Sequence, residues 1–185
     1  MNHPAKALMT VEEFLSWADE RPDEKWELAD GVPIAMAPER IRHSEAKGAT
    51  YRALGDAISR SGLPGRVWVD GPCVKTGKRF CRIPDVIVQC SKSDADSMLA
   101  DQPVIIVEVI SPSSRRIDTS DKLDEYFNLE STRHYLLVKP EKRVVIHHRR
   151  DDEGELHTRI VTSGDIVFNP PGLTVACEDL LGPAA

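Results

Sequence analysis

A single α/β domain with a mixed β-sheet is the fold class this sequence predicts, and three observations predict it. Helical and strand patterns follow one another as helix, strands, helix, strands, helix, strand. The segment Val104–Ile110 is apolar on both faces apart from one Glu, as in a central strand of a covered sheet. The chain has 185 residues, close to the length of one domain and long enough to bury a core without staples.

Each element has a local cause. Thr10-Val11-Glu12-Glu13 is a capping box, and Val11, Phe14, Leu15 and Trp17 follow at helical spacing, so a short helix runs from about Val11 to Asp19. Asp30-Gly31 separates two alternating runs, the signature of a tight hairpin, and Pro33 places the second strand at an edge or a bulge. From Ser44 to Arg60, Ala46, Ala49, Ala53, Leu54, Ala57 and Ile58 form one apolar face, and Gly62 and Pro64 end the helix. Strands are predicted at Arg66–Asp70, Cys73–Lys75, Arg79–Arg82 and Val86–Gln89. After Val104–Ile110, Asp118 is positioned to cap a helix with Leu123, Tyr126 and Phe127 on its inner face. Tyr135–Val138 is a further buried strand. Val144–His148, Leu156–Val161 and Ile166–Phe168 read as an antiparallel meander.

Composition narrows the function. At 41% hydrophobic and 29% charged residues the chain is an ordinary soluble protein, and no apolar run reaches the roughly 18 residues of a membrane span. The N-terminus MNHPAKALMT lacks the apolar stretch of a signal peptide. Cys73, Cys81, Cys90 and Cys177 show no zinc-type spacing, so they are expected as reduced thiols in the cytoplasm. His147 and His148 are neighbours on a strand and point to opposite faces, which argues against a shared metal. Aromatic residues are only 5%, which argues against base-stacking platforms.

The net charge of −6 argues against a polyanionic partner until its distribution is considered. Residues 1–38 carry 3 basic and 8 acidic side chains, residues 39–82 carry 10 and 4, and residues 83–185 carry 11 and 18. The middle block is a candidate basic face, with Arg42, Lys47 and Arg52 on the long helix as candidate phosphate contacts; Arg115 and Arg116 are positioned to clamp a phosphate after the Glu108 strand.

The carboxylates carry the chemical argument. Glu108 lies inside VIIVEVI, where an unpaired charge would cost several kcal/mol, so it requires a compensating cation or a raised pKa. Asp85 begins a neighbouring apolar strand. Two such strands placing carboxylates at one sheet edge make an oxygen-ligand site of the kind Mg2+ takes. Glu27, between Trp26 and Leu28, is a third candidate. The structural alternatives are a turn cap for Asp85, an arginine partner for Glu108 and a surface position for Glu27.

Pro84-Asp85 followed after 22 residues by Glu108 resembles the core of the PD-(D/E)xK nuclease superfamily. More closely, the chain resembles the Uma2 family of restriction-endonuclease-like proteins over roughly residues 10–175. The resemblance is carried by TVEEFLSW, WELADG, His43 opening the long helix, PDVIV, VEVISPSSRRIDTSDKLDEY and HYLLVKP. It implies a restriction-endonuclease-like fold with a central mixed sheet flanked by helices, spanning residues 10–181 with short tails at 1–9 and 182–185. It also implies a Mg2+ (or Mn2+) dependent endonuclease acting on DNA, with a homodimer by family analogy. Asp85 and Glu108 would hold the metal, and Glu27 would complete the acidic cluster. The superfamily's lysine two places after the second acid is absent, since Ile110 stands there. The Uma2-like pattern implies Lys122 as the relocated lysine; an exposed i,i+4 pair between Asp118 and Lys122 is the structural alternative. His43, Ser111 and Asp118 are auxiliary candidates. A catalytically silent nucleic-acid- or protein-binding module on the same fold is the competing expectation. A serine hydrolase is disfavoured because no G-x-S-x-G elbow exists.

Overall fold

The computed structural model describes residues 8–110 and 116–184, with the side chains of residues 116–120 left outside the description. The first helix, α1 (Val11–Asp19), is closed by the expected capping box. The Thr10 hydroxyl accepts from the Glu13 N–H at 3.3 Å, and the Glu13 carboxylate accepts from the Thr10 N–H at 2.8 Å. Strands β1 (Trp26–Ala29) and β2 (Val32–Ala35) form the hairpin, with Asp30 and Gly31 at φ 45° and 76° as a two-residue turn of this hand requires. Pro33 is tolerated because β2 is an edge strand.

The long helix α2 (Ile41–Ser61) begins one turn before the predicted Ser44, because nothing between Ile41 and His43 opposes a helix. Gly62 ends it in the left-handed conformation at φ 68°. Then come β3 (Arg66–Val69), β4 (Val74–Gly77), β5 (Phe80–Arg82), β6 (Val86–Gln89) and β7 (Pro103–Val109). Helix α3 (Arg116–Phe127) crosses over to β8 (His134–Lys139), which lies parallel to β7. The helix starts before Asp118, so that residue lies in its first turn and is not its N-cap; an acidic residue suits either place, since both face the positive end of the helix.

Strands β9 (Val144–Arg150) and β10 (Leu156–Val161) complete a six-stranded sheet in the order β10-β9-β8-β7-β6-β3. The four-stranded sheet has the order β2-β1-β5-β4. The predicted meander ends at β10. Strand β11 (Asp165–Phe168) pairs instead with β12 (Leu173–Ala176), because Asn169-Pro170-Pro171-Gly172 turns the chain straight back. A last turn of helix, α4 (Cys177–Leu180), follows.

Two apolar clusters cover the two faces of the large sheet. Val86, Val88, Ile105, Val107 and Leu136 pack with Leu54, Ala57 and Ile58 of α2 and with Phe168 and Leu173 of the small sheet. On the opposite face, Ile87, Ile106 and Tyr135 pack with Tyr126 and Phe127 of α3. The central strands are therefore covered on both sides, with α2 and α3 held against opposite faces. The four cysteines are free thiols. No helix among the described residues is long and apolar enough to cross a membrane.

Candidate active site

The site forms where β6 begins and β7 ends. Val86 of β6 is paired with Val107 of β7, so Asp85, one residue before β6, falls opposite Glu108. The Val109 N–H donates to Asp85 Oδ2 at 2.6 Å and fixes that carboxylate at the sheet end. Both acids are 7% exposed.

On the α2 side, His43 and Lys47 stand one turn apart on one face of the helix. His43 Nε2 lies 3.2 Å from Asp85 Oδ2 and 3.1 Å from Glu39 Oε2. Lys47 donates to both oxygens of Asp70 at 2.6 and 2.7 Å, to Glu39 Oε1 at 2.7 Å, and lies 3.3 Å from Asp85 Oδ1. Glu39, His43 and Asp85 together bring three ligand atoms within 4.8 Å of one another. Burial works against a charged Asp85, but His43, Lys47 and the Val109 N–H more than offset it, and its carboxyl lies below its ordinary value. Burial likewise pushes His43 down, yet the hydrogen bond with Asp85 and the charges of Asp85 and Glu39 leave it raised.

On the α3 side, Lys122 donates to Glu108 Oε1 at 3.1 Å and Tyr126 donates to the same oxygen at 2.7 Å. Lys122 also lies 3.8 Å from Glu27 Oε1. Glu27 is held by the Ile83 N–H at 3.0 Å and by Arg82 at 3.4 Å, while Arg82 grips Glu125 at 2.6 and 2.7 Å. Burial pushes the Glu108 carboxyl up; Lys122 opposes this, the charges of Asp85 and Glu27 add to it, and the group sits at about 7. A cleft of about 640 Å³ lined by Lys25, Trp26, Glu39, His43 and Asp85 opens the α2 side to solvent.

Lys47 differs from its expected place. It is 5% exposed and surrounded by carboxylates, so it belongs to the ion cluster and not to an exposed phosphate-binding face. The basic block of residues 39–82 is also less free than its charge suggests, because Lys75, Arg79 and Arg82 are paired with Glu12, Asp30 and Glu125. Arg42 is exposed and only loosely paired with Glu141 at 3.4 Å, and Arg52 is exposed. Ile110 packs in the apolar cluster beneath α3, which leaves no place there for a lysine at the sheet end. Ser111 and Arg115 lie outside the described residues, as do the side chains of Arg116 and Asp118.

Glu39 and Asp70 join the site without having been singled out from sequence, and Tyr126, expected on the inner face of its helix, joins it through Glu108. Glu39, His43 and Lys47 are spaced four apart, and so are Lys122 and Tyr126, which is a legible one-face signal. Asp70 had none, since its role depends on where β3 ends.

A family model, Uma2, described as "Putative restriction endonuclease", matches residues 11–180. The chain belongs to the Uma2 family. An "Uncharacterized protein" of Synechocystis sp. is 29% identical over 179 residues, covering 92% of the Uma2 chain described here and 90% of that protein. The crystal structure of a "putative nuclease belonging to DUF820" from Anabaena variabilis superposes with a TM-score of 0.69 at 16% identity, covering 94% of this chain and 97% of that one. At that identity the likeness establishes the fold, a restriction-endonuclease-like arrangement of the mixed sheet and its flanking helices.

Proposed function

We propose that this protein is a Mg2+ (or Mn2+) dependent endonuclease that hydrolyses DNA phosphodiester bonds at the end of β6 and β7. The observation that carries the proposal is Glu108. It is a buried carboxylate pushed up to about 7 by burial and by neighbouring negative charge, with the Lys122 ammonium at 3.1 Å. A structural ion pair gains nothing from crowding Asp85 and Glu27 around it, whereas a site that loads a divalent cation needs this excess of carboxylate. The donor set fits: Asp85 and Glu108 offer hard oxygens, and His43 and Glu39 share the Asp85 side of the cluster.

Asp85 and Glu108 are the residues that would hold the ion. When bound, it would polarise the phosphoryl oxygen and lower the pKa of a coordinated water. The Lys122 amine, steadied by Glu108 and Glu27, orients the attacking water and offsets the charge that develops on phosphorus. Tyr126 fixes the Glu108 oxygen that Lys122 also uses. His43, its pKa raised by Asp85 and Glu39 against the effect of burial, is placed on the open side of the cluster to pass a proton from Nε2 to a leaving oxygen. Arg42 and Arg52 supply exposed phosphate contacts on α2, and Arg115 and Arg116 supply further ones after β7. The protein acts in the cytoplasm, as a homodimer in which each copy cuts one strand of the duplex.

One observation favours the silent binding module instead. Lys47 and His43 already offset the charge of Asp85 without any ion. Calorimetric titration of Mn2+ into the wild type, Asp85→Asn and Glu108→Gln separates the two. The nuclease reading expects one saturable site that both substitutions weaken at least tenfold; no heat of binding in the wild type would favour the module.

A further inference from the structure

The far end of the six-stranded sheet carries a second concentration of charge that the carboxylate site does not use. In the register of β9 and β10, Arg159 stands opposite His147 and His157 opposite Arg149. Side chains alternate along a strand, so all four share one face. Arg149 and Arg159 are diagonal neighbours across the pair, where long side chains reach one another. Neither the Arg149 nor the Arg159 guanidinium has an ion pair or hydrogen bond among the described residues. Their neighbours are satisfied: Arg133 is paired with Asp152, and Arg150 donates to the Leu129 carbonyl at 3.2 Å.

The two free guanidinium groups line a cleft of about 430 Å³ walled on the other side by Val167 and Asn169. No carboxylate lines it. Asp151, Asp152 and Glu153 line an adjoining cleft that shares Arg149, His157 and Asn169, and His157 bonds Asp151 Oδ2 at 2.5 Å. The floor is His147, 4% exposed. Its tautomer follows from a chain of contacts. His134 Nε2 faces the Pro170 carbonyl at 2.7 Å, and a carbonyl only accepts, so that nitrogen bears the hydrogen. His134 Nδ1 is then an acceptor, and at 2.9 Å it takes the hydrogen of His147 Nε2. Burial, with nearby arginine charge, holds both rings neutral, His134 at about 4 and His147 at about 3. The cleft therefore presents arginine charge beside a neutral His147, with no carboxylate in its own lining.

We infer that this cleft binds a phosphate group, gripped by Arg149 and Arg159 with Asn169 at its rim. Two guanidinium forks and an amide offer more donors than a carboxylate's two oxygens can accept, whereas a tetrahedral oxyanion takes them all. The phosphate is either that of a small phosphorylated molecule or one link of a nucleic-acid backbone. The cleft is distinct from the carboxylate site. Arg149 is level with His134, whereas Glu108 is level with Leu137, on the order of 10 Å along the strands and on the other face of the sheet. The inference stands whether or not the carboxylates hydrolyse DNA.

The test is the double variant Arg149→Gln/Arg159→Gln against wild type, with two probes in EDTA: inorganic phosphate by calorimetry and a short fluorescent DNA duplex by anisotropy. The expected result is a loss of at least tenfold in affinity for one or both probes, with a melting temperature equal to or above wild type because like-charge crowding is relieved. Loss confined to inorganic phosphate assigns a small phosphorylated ligand. Loss for the duplex, with the salt dependence reduced by about 2 in its log–log slope, assigns the backbone. Unchanged affinity for both probes, or no binding of either by the wild type, overturns the inference.

Discussion

Glu108 sits where its proton and a divalent cation compete. Burial and the charges of Asp85 and Glu27 hold its carboxyl at about 7, so below that value it is increasingly protonated. Metal ligands must be deprotonated to bind. Mn2+ affinity should therefore be level above about pH 7.5 and fall by about tenfold per pH unit below about 6.5, as read by calorimetry across that range. Affinity independent of pH from 5 to 8 would remove Glu108 from the metal site. Lys122 makes a separate prediction, because its role is in the transition state. Lys122→Met should lower kcat for DNA cleavage by roughly 10²- to 10³-fold with little change in KM. An equal loss in KM would make it a binding residue. Asp85 and Glu108 were legible as a pair because a carboxylate inside VIIVEVI, and another opening the apolar run VIV, conflict with burial unless they have a task. Lys122 was legible only through the family pattern. Asp70 was not legible at all, since exposed loop acids look alike until the fold brings one to Lys47, and Glu39 showed only its spacing of four from His43.

The elements follow their local signals closely where the signals are backbone chemistry. Gly31 turns the first hairpin at φ 76°, and a Cβ there would meet Leu8 Cβ at 2.8 Å and the Met9 backbone at 3.1 Å. Gly31→Ala should destabilise the fold by more than about 1 kcal/mol in denaturant titration. Equal stability would mean that the turn tolerates a side chain. The pairing of β8 with β9 buries the His134–His147 contact, and both rings are held well below their ordinary value by burial. The unfolded chain then binds more protons than the folded one below about pH 6.5. This contribution is full above that pH and is lost as the pH falls toward about 4. The melting temperature should drop across that window, and His147→Asn should flatten the drop. Where signals concern pairing, reading fails more easily. The β11 segment alternates just as a meander strand would, but the Pro-Pro-Gly turn after it, not its own pattern, decides that it pairs with β12. Helix starts were also soft, since residues acceptable inside a first turn are acceptable before it, as with Ile41 and Asp118.

At the scale of the whole molecule, two helices on opposite faces of one mixed sheet deliver cations to a shared sheet end. α2 brings His43 and Lys47, and α3 brings Lys122. The order of elements was readable from periodicity, and the central place of β7 from its apolar faces. The pairing of the middle basic block with carboxylates was not readable, because net charge per segment says nothing about which charges meet. Half of that block, Arg42, Lys47, Lys75, Arg79 and Arg82, is paired with carboxylates within the fold, and Arg149 and Arg159 on β9 and β10 form a second place where arginine charge has no ion pair among the described residues. The central claim is that Asp85 and Glu108 make a metal-dependent phosphodiesterase. The most direct measurement is conversion of supercoiled plasmid to nicked and linear forms in Mg2+ or Mn2+, comparing wild type with Asp85→Asn. The expected result is cleavage by the wild type that EDTA abolishes and that Asp85→Asn lowers by at least a hundredfold. Nicking that persists unchanged in Asp85→Asn, or no cleavage by the wild type with either ion, would contradict it.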